Sequence, residues 1–240
     1  MRKDHRPYFI KKAEFKFMAF YVRHFLTPQF ASLGRGSLIV NPWYLEVNGE
    51  PISIGNHVHM LALRNKPIIL STYESGDANG KITFGDYCLV SPGTRIASAS
   101  SITIGDSCMF ANEAYISDAD WHGIYARKVP VGQTAPICLE DNVWIGDRAT
   151  VCKGVTIGKN SIIAANAVVT HDIPPDTIAA GVPAKVVKQL DPSQGYMPRS
   201  EMFEDEQAYD NFVELLDREA LKHNNLLKWL RVLMWPTRKD

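Results

Sequence analysis

Along the middle of the chain an aliphatic residue returns at every sixth position, as Leu139, Ile145, Val151, Ile157, Ile163 and Val169. Four positions after each stands a second small or apolar residue, Val143, Ala149, Val155, Ser161, Ala167 and Ile173, so every six-residue unit offers two side chains to an interior. Shorter runs start at Phe84, Val90 and Ile96 and at Ile104, Phe110 and Ile116, with an isolated turn at Ile54 and Met60. This period matches neither a helix nor a simple alternating strand. Glycine follows the apolar residue at Gly55, Gly85, Gly105, Gly146 and Gly158, which marks a repeated corner. The pattern predicts short strands alternating with bends, three to a triangular coil, with stacked coils burying one another's side chains: an all-β solenoid. Cys88 and Cys108 occupy the small interior position of their units, where a thiol serves as a compact apolar filler.

The extensions follow a different periodicity. Residues 11–26 mix Phe, Met, Tyr and Val with Lys and Arg, as an amphipathic helix ended by Pro28 would, and such a helix is suited to capping the first coil. Beyond Lys188, Asp191-Pro192-Ser193-Gln194-Gly195 reads as a linker into a second helical region over about 201–235. The expected organisation is a helical cap over 1–34, the solenoid over 35–188 with a loop inserted at about 117–138, and a linker with a C-terminal helical extension over 189–240. Leu226, Leu227, Trp229, Leu230, Val232, Leu233, Met234 and Trp235 are too apolar for a free tail. Packing on the solenoid or on a sister subunit is the first expectation for them, and peripheral contact with a membrane through the C-terminal helix is the second.

Charge narrows the partners. Lys plus Arg (26) balances Asp plus Glu (26), so no overall field favours nucleic acid. Four cysteines with no Cys-x-x-Cys pair suit a reducing compartment. The apolar stretch from Phe15 to Phe25 is interrupted by Lys16, Arg23 and His24, and no uncharged run is long enough to span a bilayer. A cytoplasmic protein is expected, with the inner membrane surface as the peripheral alternative.

The residues also carry a family resemblance. Asn142-Val143-Trp144-Ile145-Gly146, Gly154-Val155-Thr156-Ile157-Gly158, Val168-Val169-Thr170-His171-Asp172-Ile173-Pro174-Pro175 and Ala179-Ala180-Gly181-Val182-Pro183-Ala184-Lys185-Val186-Val187 resemble the hexapeptide-repeat acyltransferases, in particular their galactoside, maltose and polysaccharide O-acetyltransferase branch. The resemblance covers about residues 84–188 closely and 35–83 more loosely. It implies a left-handed parallel β-helix, a homotrimer with a cofactor groove between subunits, and acetyl-CoA as acyl donor with no metal required. It implies further that Trp144, Ala165 and Thr170 line the pantetheine channel, with Lys188 and Lys185 for the nucleotide phosphates. Two positions depart from the family pattern: His171 stands where a lysine is usual, and Asn166 where a glycine is usual.

The six-residue register breaks between Ile116 and Leu139, and a loop thrown out of a solenoid is where function concentrates. That loop holds His122 among Asp118, Asp120, Trp121, Tyr125, Arg127 and Lys128. An attacking hydroxyl or amine must lose its proton to an acceptor such as imidazole, and the resemblance places the family's general base at His122. Asn112, Tyr115, Asp118, Asp120 and Trp121 are the candidates for holding a saccharide or other small acceptor, by hydrogen bonding or, for Trp121, by ring stacking. His57 and His59 flank the interior Val58 and are expected to point outward. Two other functions fit a solenoid: a scaffold that has lost catalysis, and a γ-type carbonic anhydrase, whose three-histidine zinc site this chain's spacing does not supply.

Overall fold

A computed structural model describes residues 3–75 and 78–237. The chain forms two compact units, Tyr21–Glu201 and a second made from Met1–Phe20 with Met202–Asp240.

The larger unit is a left-handed β-helix. Its strands line up as three sheets of six, eight and six strands among the described residues. The first face stacks Ser32–Leu33, Ile52–Ile54, Ile82–Phe84, Ile102–Ile104, Ile137–Leu139 and Thr156–Ile157. The second includes His59–Leu61, Leu89–Val90, Met109–Phe110, Trp144–Ile145 and Ile162–Ile163, and the third includes Ile68–Thr72, Arg95–Ser98, Tyr115–Ser117, Thr150–Val151 and Val168–Val169. Neighbouring coils pair in parallel and in register, for example Ile104 with Leu139, Phe110 with Ile145, and Ile116 with Val151. Each apolar residue of the repeat therefore lies over its equivalent in the next coil. Both interior series are at most 5% exposed from Leu139 to Ile173. Ser161 is the polar member, and its hydroxyl is satisfied by donating to the Pro174 carbonyl at 2.7 Å and accepting from the Thr177 amide at 3.2 Å.

The corners explain the remaining positions of the repeat. His57, Tyr87, Ser107, Asn142, Asn160 and Asp176 take positive φ after the first face, and Glu113, Arg148 and Asn166 do so after the second. Asn166, at φ 59°, sits in the left-handed region that Gly or Asn enters most readily, which accounts for an asparagine where the family has glycine. Aspartates tie successive corners together. Asp86 accepts from the Asn56 amide at 2.7 Å, Asp106 from the Asp86 amide at 2.7 Å, and Asp141 from the Asp106 amide at 3.0 Å.

The coil stack ends where Lys185–Gln189 pairs antiparallel with Thr177–Ala180 and closes that edge of the second face. The chain then returns along the first corner. Arg199 Nε donates to the Tyr87 carbonyl at 2.9 Å and the Ser200 amide donates to Ser107 Oγ at 3.2 Å. This strap alters the expectation for His57 and His59. They flank the fully buried Val58, yet both are themselves buried, because His57 stacks on Tyr87 with ring centroids 5.5 Å apart and Arg199 Nη2 lies 3.5 Å from His59 Nδ1.

In the smaller unit, helix α1 (Tyr8–Tyr21) starts earlier than its hydrophobic pattern suggested and passes into a π-turn over Val22–Leu26 before Pro28. The C-terminal region divides into α2 (Glu206–Leu221) and α3 (Leu226–Met234). Asn225 caps α3 by accepting from the Lys228 amide, and Asn224 donates to the Asp4 and Arg6 carbonyls. Glu214 accepts from Tyr8 at 2.7 Å, and Lys11 pairs with Asp217 at 2.7 Å. Hydrogen bonds from Tyr8, Arg218 and Lys12 hold the Glu214 carboxyl down to about 2.

The strap carries a pH dependence. Burial, then the Arg199 charge, then His57 depress the His59 imidazole from 6.5 to about 4. The native state thus binds fewer protons at His59 than the unfolded chain between those limits, so stability should fall as pH drops from 6.5 to about 4. His59→Gln should flatten this part of the melting-temperature profile. An NMR titration that placed the wild-type imidazole at its ordinary value would refute the assignment.

Candidate functional site

The inserted loop leaves the corner between the third and first faces, immediately after the strand Tyr115–Ser117. Its root is Asp118, a fully buried carboxylate. Asp118 accepts from Ser98 Oγ at 2.6 Å, from the Ala99 amide at 2.7 Å and from the Ser100 amide at 3.0 Å, so it ties the loop to the corner of the preceding coil. These bonds commit its carboxylate to anchoring the loop. Above it the two arms of the loop pair as a neck. The Asp120 amide donates to the Gln133 carbonyl at 2.8 Å, the Gly132 amide to the Asp120 carbonyl at 2.7 Å, and the Ala135 amide to the Asp118 carbonyl at 3.0 Å. Asp120 also takes a 2.7 Å ion pair from Lys153, on the same corner of the next coil.

His122 stands just beyond this neck. Its side chain is exposed, and among the described residues its imidazole has no hydrogen-bond partner. Its backbone is closely confined, since a Cβ on Gly132 would lie 2.4 Å from the His122 carbonyl oxygen, an approach only glycine permits. Past His122 the loop turns back on itself, with the Gly123 amide donating to the Val129 carbonyl at 3.2 Å, and presents a fully exposed Tyr125 at its tip.

Beside His122 lies an aromatic wall. Trp121 Nε1 donates to Tyr115 Oη at 3.3 Å and its ring meets that of Tyr73 at 4.7 Å between centroids. The guanidinium of Arg95, one coil away, lies 5.4 Å from the Tyr115 ring centre, at cation–π range. Tyr73 and Arg95 were not among the residues singled out from the sequence. Tyr73 ends a strand on the third face two coils before the loop, where a small hairpin of Glu74–Ser75 with Ala78–Asn79 also departs from the repeat. That second break in register at the same corner was the available signal.

The other predicted residues fall elsewhere on the prism. Asn112 is exposed at the corner after the second face, where its carbonyl accepts from the Arg148 amide at 2.9 Å. Its neighbour Glu113 is held below the usual carboxylate range by Arg148 and Lys66. Trp144 projects from the second face, 44% exposed, in a column with Met109 and Ile162. Lys188 pairs with Ile178 in that same column, and neither Lys188 nor Lys185 has a carboxylate partner among the described residues. Ala165 lies at the corner after the second face, whereas Thr170 lies at the corner after the third, its hydroxyl 2.9 Å from His171 Nδ1. Within one chain, then, His122, Trp121, Tyr115, Thr170 and His171 share the loop corner or the face beside it. Trp144, Ala165, Asn112 and the two lysines belong to the second face and its far corner. The third face lies between the two corners. Among the described residues no group of three or more His, Cys, Asp or Glu side chains is placed to hold a metal ion.

Residues 139–171 match the model of the bacterial transferase hexapeptide repeat (six repeats). The chain is 34% identical over 127 residues to galactoside O-acetyltransferase of Escherichia coli (strain K12), covering 52% of this chain and 60% of that protein. It is 33% identical over 121 residues to a putative lipopolysaccharide biosynthesis O-acetyl transferase of the same organism, covering 46% of this chain and 61% of that protein. The chain thus spans about three fifths of the length of these curated relatives. Among solved structures, the N-acyltransferase AntD of Bacillus cereus, in complex with dTDP and 3-hydroxybutyryl-CoA, superposes with a TM-score of 0.54 at 20% identity, covering 79% of this chain and 96% of that one. That similarity concerns the fold.

The root of the loop can be tested apart from any activity. Asp118→Ala would take the acceptor from the Ala99 and Ser100 amides, while the Ser98 hydroxyl keeps the Lys81 carbonyl at 3.0 Å, at a cost of about 2 kcal/mol or more. Thermal melting should show the loss, and a variant as stable as the wild type would contradict the anchoring role.

Proposed function

We propose that this chain, a member of the hexapeptide-repeat acetyltransferase family related to galactoside O-acetyltransferase, transfers an acetyl group from acetyl-CoA to a hydroxyl of a carbohydrate acceptor. The observation that carries this reading is His122: an exposed imidazole without a hydrogen-bond partner among the described residues, on a backbone confined by a paired neck and Gly132. A general base needs a nitrogen able to accept a proton and a defined place on the backbone, and these features support that reading.

In the proposed reaction His122 takes the proton of the acceptor hydroxyl as its oxygen attacks the thioester carbonyl. The new carbon–oxygen bond replaces the carbon–sulfur bond, and the imidazolium returns the proton to the departing thiolate. Trp121 and Tyr73 offer ring faces to the apolar side of a sugar, with Tyr115 and Arg95 behind them. Asp118 serves this site through the loop rather than through the acceptor, because its carboxylate is buried and committed.

The donor fits the chain's own residues. The exposed Trp144 indole, the Thr170 hydroxyl and the exposed Lys185 and Lys188 have the chemistry to hold a pantetheine arm and phosphates. Their distribution favours a site shared between copies of the chain, in which the second-face corner of one subunit, with Trp144 and Ala165, meets the loop corner of another, with His122 and Thr170. A homotrimer supplies three such meetings.

Replacing His122 by Ala should lower kcat at least about a hundredfold while leaving coenzyme A binding unchanged by calorimetry. Near wild-type turnover would remove His122 from the mechanism. The shared site predicts complementation. His122→Ala and Ala165→Trp subunits, each inactive alone, should recover about a quarter of wild-type activity when refolded together in equal amounts, because one random pairing in four joins two intact halves. No recovery in mixtures shown by mass spectrometry to contain both subunits would place the whole site within one chain.

A further inference from the structure

Helix α3 turns an entirely apolar side outward. Leu226, Leu227, Leu230, Leu233 and Met234 follow the spacing of one helical face, and all are exposed, Leu227 at 81% and Leu233 at 61%. Trp229 and Val232 project from the opposite side and are half-buried. Trp235 extends the exposed surface past the last turn. A contiguous leucine face of this kind is unfavourable in water and marks a surface that is covered in use.

The charge around the face identifies what covers it. From Lys222 to Thr237 the sequence contains Lys222, Lys228 and Arg231 and no Asp or Glu. Lys222 pairs with Glu219 on the end of α2, and the acids of this unit lie outside α3: on α2, where Glu214 and Asp217 are engaged by Tyr8 and Lys11, just before α2 at Glu204 and Asp205, and near the N-terminus, where Asp4 and Glu14 pair with Arg6. Helix α1 exposes Phe9 and Phe17 beside Lys12 and Lys16, with its one acid, Glu14, paired with Arg6, and neither Lys16 nor Lys228 has a carboxylate partner among the described residues. Leucines flanked by cations on long aliphatic stems suit the boundary between acyl chains and anionic headgroups, where the stems lie along the apolar layer and the charges meet phosphate. A second copy laid two-fold on the same face would set these cations against their own kind. At nine residues α3 is too short to cross a bilayer, and no helix among the described residues is long and apolar enough to do so.

We propose that α3 docks the protein on an anionic membrane surface, lying in the plane of the interface with Leu226, Leu227, Leu230, Leu233 and Met234 toward the acyl chains. Of the two surfaces the sequence leaves open for this segment, protein or lipid, the exposed leucine face and the absence of any acid within α3 favour the lipid one. The proposal is independent of the transferase reading.

The full chain should cosediment with vesicles of phosphatidylcholine and phosphatidylglycerol in equal parts. It should bind much less to phosphatidylcholine alone, and added salt should weaken the binding. Leu227→Glu with Leu233→Glu should lower affinity for the mixed vesicles at least about tenfold while leaving the melting temperature unchanged. Lys228→Glu, which leaves the apolar face intact, should weaken binding to the anionic vesicles alone. The proposal fails if the wild type stays in the supernatant with both vesicles, or if the double variant sediments as the wild type does. It also fails if, in the absence of lipid, the double variant loses oligomeric mass by light scattering, which would assign the face to another copy of the chain.

Discussion

Every coil of the larger unit depends on burying its apolar pair against the coils above and below. A single coil is too thin to enclose its own side chains, so Ile145 or Val151 leaves water only when neighbouring layers close over it. Each such aliphatic side chain contributes about 1.5–3 kcal/mol of transfer free energy when covered. That gain is opposed by about 1–2 kcal/mol of backbone ordering per residue, which leaves little tolerance for a coil out of register. Register is therefore strict on the strands, and departures from it are confined to the corners.

This division of labour decides where chemistry can be placed. At a corner, extra chain can leave without disturbing the layers provided that its root is secured. The buried Asp118 performs that task by binding the preceding corner, and the neck from Asp118 to Ala135 then carries His122 outward on a defined backbone. The same corner hosts the smaller hairpin after Tyr73, so two separate excursions converge and build the aromatic wall beside the loop that carries His122. The end of the stack needs a different solution. The antiparallel strand Lys185–Gln189 closes the edge of the second face, and in doing so sets Lys185 and Lys188, which have no carboxylate partner among the described residues, at the end of the Trp144 side.

The two units use their polar groups differently. In the solenoid, polar side chains hold corners to one another, half-buried or exposed at Asp86, Asp106 and Asp141 and buried at Asp118 and Ser161. In the smaller unit, Glu214 and Asp217 on α2 hold α1 through exposed and part-buried pairs. Acidic groups are consumed there, and α3 keeps a basic and apolar character that its own unit does not cover.

The repeat and the position of its inserted loop were legible in the sequence because both are local. A residue every six positions, with a small partner four later, dictates a strand and a corner wherever it occurs, so the faces, the interior thiols of Cys88 and Cys108 and the loop at its break could all be located by counting. His122 could be placed on that loop for the same reason, standing inside a long interruption of a strict pattern. What counting could not supply was anything that depends on which coil lies beside which corner. Asp118 reads as a polar loop residue, and only the preceding coil turns it into a buried anchor; Tyr73 and Arg95 reach Trp121 and Tyr115 across coils. His57 and His59 flank the interior Val58, but the Tyr87 ring of the next coil covers His57, and a strap more than a hundred residues later in the chain reaches His59. Alternation along a strand is set by backbone geometry between neighbours, whereas burial and partnership of outward side chains are set by whichever distant segment the fold returns to that surface.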